Sequence, residues 1–334
     1  MKQVTKLIAL FHGNTRGKGE MDMQEKIYIA GHTGLVGSAI LQDLKTNGYT
    51  NLVYRGSHEL DLKDQSGVNE FMAREKPDIV ILAAAKVGGI LANDSYPYTF
   101  LYENLAIQSN VIHAAHVNDV QRLVFLGSSC IYPKLALQPL KEDYLMTGPL
   151  EPTNEWYAIA KISGLKQCEA LNRQYQRNYI SLMPANLYGP RDNFDLQTSH
   201  VLPALMRKFH EALPDKPVTV WGSGTPRREF LHVDDLAGAV RFCMEQQTAG
   251  GLYNIGTGRD ISIKELALTI QDLTGHRGDV IWDQSRPDGT PIKRLDTSRI
   301  NELGWSYTIP LQEGMEQTYN WFLENEIQKI PGAV

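Results

Sequence analysis

Cysteine is scarce: only Cys130, Cys168 and Cys243 occur in 334 residues. An odd number at wide spacings fits neither a disulfide framework nor a zinc site, so no metal is expected. A reducing compartment, the cytoplasm, is the expected location. Long apolar runs are missing too. None approaches the roughly 20 residues that span a bilayer, which argues against a membrane partner. Positive charge is not in excess: 33 Lys and Arg stand against 38 Asp and Glu, a net charge of −5. That balance lacks the basic footprint of a nucleic-acid binder. There is no internal repeat and no low-complexity tract. What remains is 42% hydrophobic and 21% charged, an ordinary globular composition. The length allows one large domain or two unequal ones.

Residues 1–25 differ from the rest. A short, interrupted apolar stretch (MKQVTKLIALF) runs into a polar, glycine-containing one, with no small-residue cleavage site for a signal peptide. A disordered extension is expected there, with Met21 or Met23 a natural start for the folded part. From residue 26 the pattern changes. Apolar runs at 26–30, 51–54, 78–85, 122–129 and 178–184 read as buried strands. Helical periodicity separates them over 34–45, 65–76 and 98–118. This alternation predicts an α/β fold, a Rossmann-type doubly wound parallel sheet with helices on both faces. Beyond residue 190 strand-plus-turn units at 218–224, 229–236 and 251–258 mix with helices near 198–212, 234–247, 262–274 and 311–326. The expected division is a dinucleotide-binding domain over 26–190, joined by returning segments from about 215–258. A smaller α/β lobe over 191–334 then takes mainly the substrate.

The first strand runs into Gly31-His32-Thr33-Gly34-Leu35-Val36-Gly37. Three glycines at this spacing have separate tasks. Gly31 permits a tight turn, Gly34 lets backbone approach a pyrophosphate, and Gly37 lets the helix pack on the strand. The helix N-terminus offers N–H groups and partial positive charge to phosphate. Thr33, Leu35 and Val36 belong to the same cradle. At the end of strand two, an acid would hold the 2′-hydroxyl of NAD. Here Tyr54-Arg55-Gly56-Ser57-His58 has none before Glu59. Arg55 can pair with a 2′-phosphate and Ser57 can hydrogen-bond to it, which points to NADP; the alternative is a merely solvated Arg55. Asp61 and Leu62 follow where the adenine would lie.

Tyr157 and Lys161 stand at i and i+4, on one helix face. A neighbouring ammonium favours a phenolate, so Lys161 is expected to lower the pKa of Tyr157 and make it a general acid or base near neutrality. Ser128, expected to end the fourth strand, can hydrogen-bond to the substrate or the phenol. The spacing is common by chance; its place behind the glycine turn and Ser128 is what makes it informative.

With these residues the sequence resembles the extended short-chain dehydrogenase/reductases that act on nucleotide-sugars. Its closer likeness is to the branch that epimerises and reduces GDP-4-keto-6-deoxy sugars. The likeness runs from about residue 26 to 326. It is carried by AAAKVGGI (83–90), FLGSSCIYPK (125–134), EPTNEWYAIAK (151–161), NLYGPRDNF (186–194), WGSGTPRREFLHVDD (221–235) and RPDGTPIKRLD (286–296). It implies NADPH-dependent 3,5-epimerisation and 4-reduction of GDP-4-keto-6-deoxy-D-mannose, or the sister reaction on a dideoxy GDP-sugar. It makes Ser128, Tyr157 and Lys161 the reductase set, and Cys130 and His200 the acid/base pair of the epimerisations. It adds Ala84, Lys86, Asn104, Leu126, Gly127, Pro184, Asn186 and Leu187, with Lys161, to the cofactor contacts. It places Lys208, Trp221, Arg228 and Asp288 against the GDP-sugar. Lys208 stands where relatives often carry arginine, keeping the charge without the fork geometry. Thr33 and Ser57 stand where some bacterial relatives carry arginines toward the 2′-phosphate, so NADP preference rests largely on Arg55. A homodimer through the helices near 98–118 and 155–176 is implied by the same analogy.

The chemistry is coherent. A 4-keto group acidifies the C3 and C5 protons; a base removes each and an acid returns it on the other face. A thiol and an imidazole have pKa values near 8.5 and 6.5 before tuning, which suits both tasks. Tyr157 or Ser128 would stabilise the enolate oxygen. Cys168 and Cys243, on helical stretches with apolar neighbours, read as buried structural thiols. His113 and His116 read as structural or surface residues. Asp234 and Asp235 after His232 read as a helix cap. A 4-epimerase that keeps its NAD fits poorly with Cys130 and the missing strand-two acid. A dinucleotide sensor without catalysis fits poorly with the retention of both Tyr157 and Lys161.

Overall fold

β1 (Ile27–Ala30) and β3 (Ile79–Leu82) are buried along their whole length, and β4 (Arg122–Leu126) at all but its first residue. Strands covered on both faces need apolar side chains at every position, which is why these segments read as unbroken runs rather than alternations. The computed structural model describes residues 23–246, 250–285 and 288–327. The extension expected at 1–25 lies outside the described residues but for its last three positions.

The other elements of the first half are α1 (Leu35–Thr46), β2 (Leu52–Val53), α2 (Gln65–Glu75), α3 (Ile90–Ser95), α4 (Pro97–Val117), α5 (Glu155–Tyr175) and β5 (Asn178–Pro184). After them come β6 (Asn186–Tyr188), α6 (Val201–Glu211), β7 (Val218–Trp221), β8 (Arg227–Arg228), β9 (Phe230–His232) and α7 (Val233–Glu245). The chain continues through β10 (Leu252–Ile255), β11 (Ile261–Ser262), α8 (Ile263–Thr274), β12 (Val280–Asp283), β13 (Ile292–Lys293), α9 (Ser298–Glu302) and α10 (Leu311–Asn325). The central sheet is parallel, in the order β10-β5-β4-β3-β1-β2. The chain leaves β1 for β2 on one side and returns to β3 on the other. That reversal opens a crevice at the C-terminal ends of β1 and β3, where open α/β sheets bind ligands.

β10 adds the far edge strand, and α7 packs on α1 through Arg241 Nε to Asp43 Oδ2 at 2.8 Å. Small sheets pair β12 with β7, β6 with β9, and β8 with both β11 and β13. Their apolar cluster includes Leu202, Met206, Phe209, Phe230, Leu266 and Phe322, separate from the cluster under the large sheet.

Two local expectations need correction. The fourth strand ends at Leu126, not Ser128. The Ser128 side chain accepts from the Cys130 N–H at 3.2 Å and turns the chain into a 3-10 helix over Ser129–Ile131. The acidic pair is not the cap of α7 either. His232 Nδ1 accepts from Asp234 N–H at 3.3 Å and does that work, while Asp234 and Asp235 sit in the first turn. Asp235 is buried and accepts from Thr308 N–H and Oγ1–H, both at 2.8 Å, and from Ile309 N–H at 3.0 Å. It latches the segment leading into α10. Asp235→Ala strands three donors, two of them backbone, and is expected to lower stability by about 3 kcal/mol, read as a shift in the chemical-denaturation midpoint. Asp235→Asn, which keeps one acceptor, is expected to cost less; equal midpoints for all three proteins would mean the latch carries nothing.

His116 packs at a tilt against Tyr175 with ring centroids 4.4 Å apart and accepts from Arg177 Nε–H at 3.3 Å, a structural role. Cys168 and Cys243 are buried in α5 and α7, where burial pushes both thiols up to about 12. No helix among the described residues is long and apolar enough to cross a membrane, and no group of three or more His, Cys, Asp or Glu among them is placed to hold a metal.

Candidate active site

The glycine turn has a shape only glycine allows. Gly31 has φ +91°, and a Cβ there would meet the Ala84 amide nitrogen at 2.7 Å. A Cβ on Gly37 would fall on the Gly31 carbonyl. The turn is therefore folded against β3 and against the first turn of α1. Gly34 caps α1 without a side-chain hydrogen bond, and no acid stands in the first helical turn. Its N–H groups are left for an anion, so the residues present fit a dinucleotide phosphate. Gly127 is constrained as well, since a Cβ would run into the Met183 thioether.

The other expected cofactor residues lie along the same edge. Ala84 and Lys86 follow β3, and Leu126 and Gly127 close β4. Pro184, Asn186 and Leu187 follow at the end of β5 and in β6. Buried Asn104 accepts from Lys86 N–H and donates to the Lys86 carbonyl, each at 3.0 Å, which holds this loop open as a fixed rim. Asn110 Nδ2 donates to the Leu62 carbonyl at 3.0 Å and ties down the loop after Asp61. Thr33 and Ser57 are exposed. Arg55 is not simply solvated: its guanidinium pairs with Glu75 at 3.3 Å and lies 5.7 Å from the Phe71 ring centre. A 2′-phosphate would compete with Glu75 for it.

Tyr157 and Lys161 share one face of α5, with Lys161 Nζ 5.8 Å from the Tyr157 ring centre and donating to the Leu126 carbonyl at 2.8 Å. The charge relation differs from expectation. Burial lowers Lys161 to about 7, and burial pushes the Tyr157 phenol up, with nearby Cys130 adding to the rise and Ser128 opposing it by a hydrogen bond. Removing both groups from water disfavours both charges, and that sets the direction of each shift. Ser128 thus bridges the two halves of the site, hydrogen-bonding toward both Tyr157 and Cys130.

Cys130 is half-buried, with the Lys293 ammonium donating to its sulfur at 3.2 Å. Burial alone would raise its pKa; Lys293, with Ser128 and Arg228 assisting, more than offsets this and the net shift is downward. His200 precedes α6 and keeps an open surface while lying deep among protein atoms. Its pKa is lowered, first by burial and then by Lys293. The loop before it is held by Gly89 N–H to the Thr198 carbonyl at 3.0 Å, where a Cβ on Gly89 would strike the Ser199 carbonyl. Lys293 is the charge that Cys130 and His200 both feel.

The expected substrate residues gather beside this cluster. Lys208 Nζ lies 5.2 Å from the Trp221 ring centre and donates to the Thr219 carbonyl at 3.2 Å. Burial lowers its pKa. Arg228 donates to the Asp288 carbonyl at 3.2 Å, while the Asp288 carboxylate accepts from Ser223 N–H and Oγ–H, both at 2.8 Å. Asp288 therefore joins the Gly222–Ser223 turn to the Asp288–Thr290 turn, and its own carboxylate is already committed.

Two residues escaped the sequence reading. Lys293 lay inside the RPDGTPIKRLD block without being singled out. Asn154 lines the same pocket as Cys130 and Lys293, and its Oδ1 is buried without a partner among the described residues. The block around Lys293 and the EPTNEWY block around Asn154 were the available signals; neither says which side chain faces inward.

The model of the NAD dependent epimerase/dehydratase family matches residues 27–256. A GDP-L-fucose synthase of Escherichia coli (strain K12) is 55% identical over 316 residues, 91% of this chain and 98% of that protein. A GDP-L-colitose synthase of Yersinia pseudotuberculosis is 38% identical over 305 residues, 90% of this chain and 99% of that protein. The structure of a GDP-L-fucose synthetase from Naegleria fowleri bound to NADP superposes with a TM-score of 0.83 at 28% identity, covering 92% of this chain and 96% of that one.

Proposed function

The chain belongs to the NAD dependent epimerase/dehydratase family, and from that membership we propose that it epimerises GDP-4-keto-6-deoxy-D-mannose at C3 and C5 and reduces it at C4 with NADPH, giving GDP-L-fucose. The observation that carries the reading is the pairing of two chemistries in one pocket. Cys130, with its lowered pKa, stands next to Ser128, which hydrogen-bonds toward Tyr157 above Lys161. A reductase alone has no use for the thiol. Higher identity to the fucose synthase than to the colitose synthase favours the 6-deoxy sugar over the dideoxy one.

The residues divide as follows. The Gly31–Gly37 turn and the N-terminus of α1 take the pyrophosphate, and Arg55 exchanges Glu75 for the 2′-phosphate. Lys208, Trp221 and Arg228 hold the GDP-sugar, with Asp288 shaping the loop beneath it. Cys130 and His200 remove and return the protons at C3 and C5, and Ser128 stabilises the enolate oxygen. Bound NADPH supplies a hydride to C4. Tyr157, kept protonated by burial, gives its proton to the C4 oxygen. Lys161, near neutrality in charge preference, can carry the ammonium that steadies the phenolate left behind.

Residues 26–190, with returning segments from about 215–258, form the cofactor half in this reading, and 191–334 mainly the substrate lobe. A second copy is the expected partner. Helices α4 and α5 pack together and leave Tyr98, Tyr102, Trp156 and Ile159 exposed, with the two tyrosine rings stacked 5.6 Å apart. The cytoplasm is the expected compartment.

Incubation with GDP-4-keto-6-deoxy-D-mannose and NADPH tests the reading through absorbance at the nicotinamide band. Oxidation of NADPH with formation of GDP-L-fucose is expected; no oxidation sinks the proposal. In D₂O, Cys130→Ser is expected to lose solvent deuterium incorporation at C3 and C5 by about 10²-fold or more while keeping its fold. Deuterium entering at full rate removes Cys130 from the epimerisation.

A further inference from the structure

Lys293 has an unusual position for a lysine. It ends β13, which runs parallel to β8 and sets Lys293 opposite Arg228. Its backbone is clamped. The Glu229 N–H donates to the Lys293 carbonyl at 3.2 Å, and two residues on, Leu295 N–H donates to the Glu229 carboxylate at 2.6 Å. Glu229 is itself buried and accepts from Thr257 N–H and Gly258 N–H, which anchors it in the turn after β10. Arg294 N–H is held by the Gln138 side chain at 3.0 Å. The ammonium projects from this fixed backbone onto the Cys130 sulfur at 3.2 Å, across 163 residues of sequence. Among the described residues no carboxylate pairs with it. A lysine that meets a thiol rather than an acid, on a strand locked by a buried glutamate, is placed to serve the thiol.

We infer that Lys293 is a positioning residue that holds Cys130 as a thiolate aimed into the sugar pocket before proton abstraction. The role in turnover rests on the function proposed above; the ion pair itself does not. The groups facing the sulfur are Lys293, Ser128 and Arg228 on the stabilising side and the Tyr157 phenol on the other; Glu151, paired with Lys134 at 3.5 Å, lines the same pocket, and His200 also lies in the field of Lys293. In the step served, the C–H bond next to the 4-keto group breaks and an S–H bond forms at Cys130. The C–H electron pair moves onto the carbonyl oxygen as an enolate, and Lys293 keeps its own proton throughout.

Alkylation by iodoacetamide reads the thiolate directly, because Cys168 and Cys243 are buried and raised. Peptide mapping at Cys130 over a pH series is the measurement, on the full chain without substrate. Wild type is expected to be alkylated faster at neutral pH than a free thiol of equal exposure. Lys293→Met is expected to slow neutral-pH alkylation of Cys130 about tenfold or more, and Lys293→Arg to restore most of it. A wild-type profile like that of an ordinary cysteine overturns the inference without any variant. So does a Lys293→Met protein of unchanged melting temperature whose profile matches wild type. The second arm is deuterium incorporation into the GDP-4-keto sugar. It should fall in Lys293→Met in parallel with alkylation; unchanged incorporation with slowed alkylation removes Lys293 from turnover. Wild type that shows the fast alkylation but never exchanges deuterium would leave the ion pair standing and sink the proposed function instead.

Discussion

Tyr157→Phe is expected to lower the rate of NADPH oxidation with the 4-keto substrate by about 10²–10⁴-fold, equivalent to roughly 3–5 kcal/mol of barrier. The reason is confined to one atom. The ring remains in edge contact with Phe100 at 6.4 Å between centroids and beside Lys161, so the fold and the cofactor cradle have no cause to change. What disappears is the proton that neutralises the C4 oxygen as hydride arrives. Burial keeps that proton on the phenol at neutral pH, which suits an acid in the reductive direction. Stopped-flow absorbance with saturating NADPH measures the effect. Deuterium incorporation at C3 and C5 should survive far better than reduction, because Cys130 and His200 are untouched. The converse pattern is expected for Cys130→Ser. If both variants lose both steps equally, the division of labour between phenol and thiol is wrong. A Tyr157→Phe enzyme that reduces at the wild-type rate would place the proton donor elsewhere.

The second large effect concerns Gly37. Its missing side chain is where the Gly31 carbonyl sits, and both neighbours are backbone. Gly37→Ala cannot be relieved by turning a flexible side chain. Either the turn opens or α1 lifts from β1, at a cost of about 1–3 kcal/mol or more. Both responses move the N–H groups that face the pyrophosphate. NADPH affinity measured by fluorescence titration is expected to fall by about 10²-fold or more, with a lower melting temperature. Gly238 supplies the control. It lies in α7 with nothing within 4 Å of an added Cβ. Gly238→Ala should leave NADPH binding unchanged and raise stability by roughly 0.5–1 kcal/mol, since alanine loses less backbone freedom in a helix. NADPH binding at full strength by Gly37→Ala would mean that the glycine turn is not the cradle.

The sheet, its helices and the glycine turn were legible in the sequence because their causes are local. A strand buried on both faces must be apolar throughout, and β1 and β3 are. A turn that passes under a helix must lack Cβ atoms, and Gly31 and Gly37 do. The spacing of Tyr157 and Lys161 sets both on one face of α5 in any helix. Other features depend on what surrounds a group, and the chain order does not contain that. The sign of the Tyr157 shift is one: the i, i+4 ammonium predicts a lowered phenol, but burial of both groups decides the opposite. Arg55 is another, since Glu75 on α2 already holds its guanidinium. The end of β4 at Leu126 was set by one hydroxyl turning back to the Cys130 amide.

Lys293 shows the same limit most sharply. Nothing in PIKR separates it from any surface lysine. Its task exists only because β13 pairs with β8, Glu229 ties that pair to the turn after β10, and the Ser128 turn brings Cys130 to meet it. Spacing along the chain thus settled which backbone this protein builds and where a dinucleotide fits. Tertiary structure alone decided which charges stand within a few ångströms of one another, and so which groups carry a proton, because desolvation and Coulomb attraction depend on distance in space and not on position in sequence.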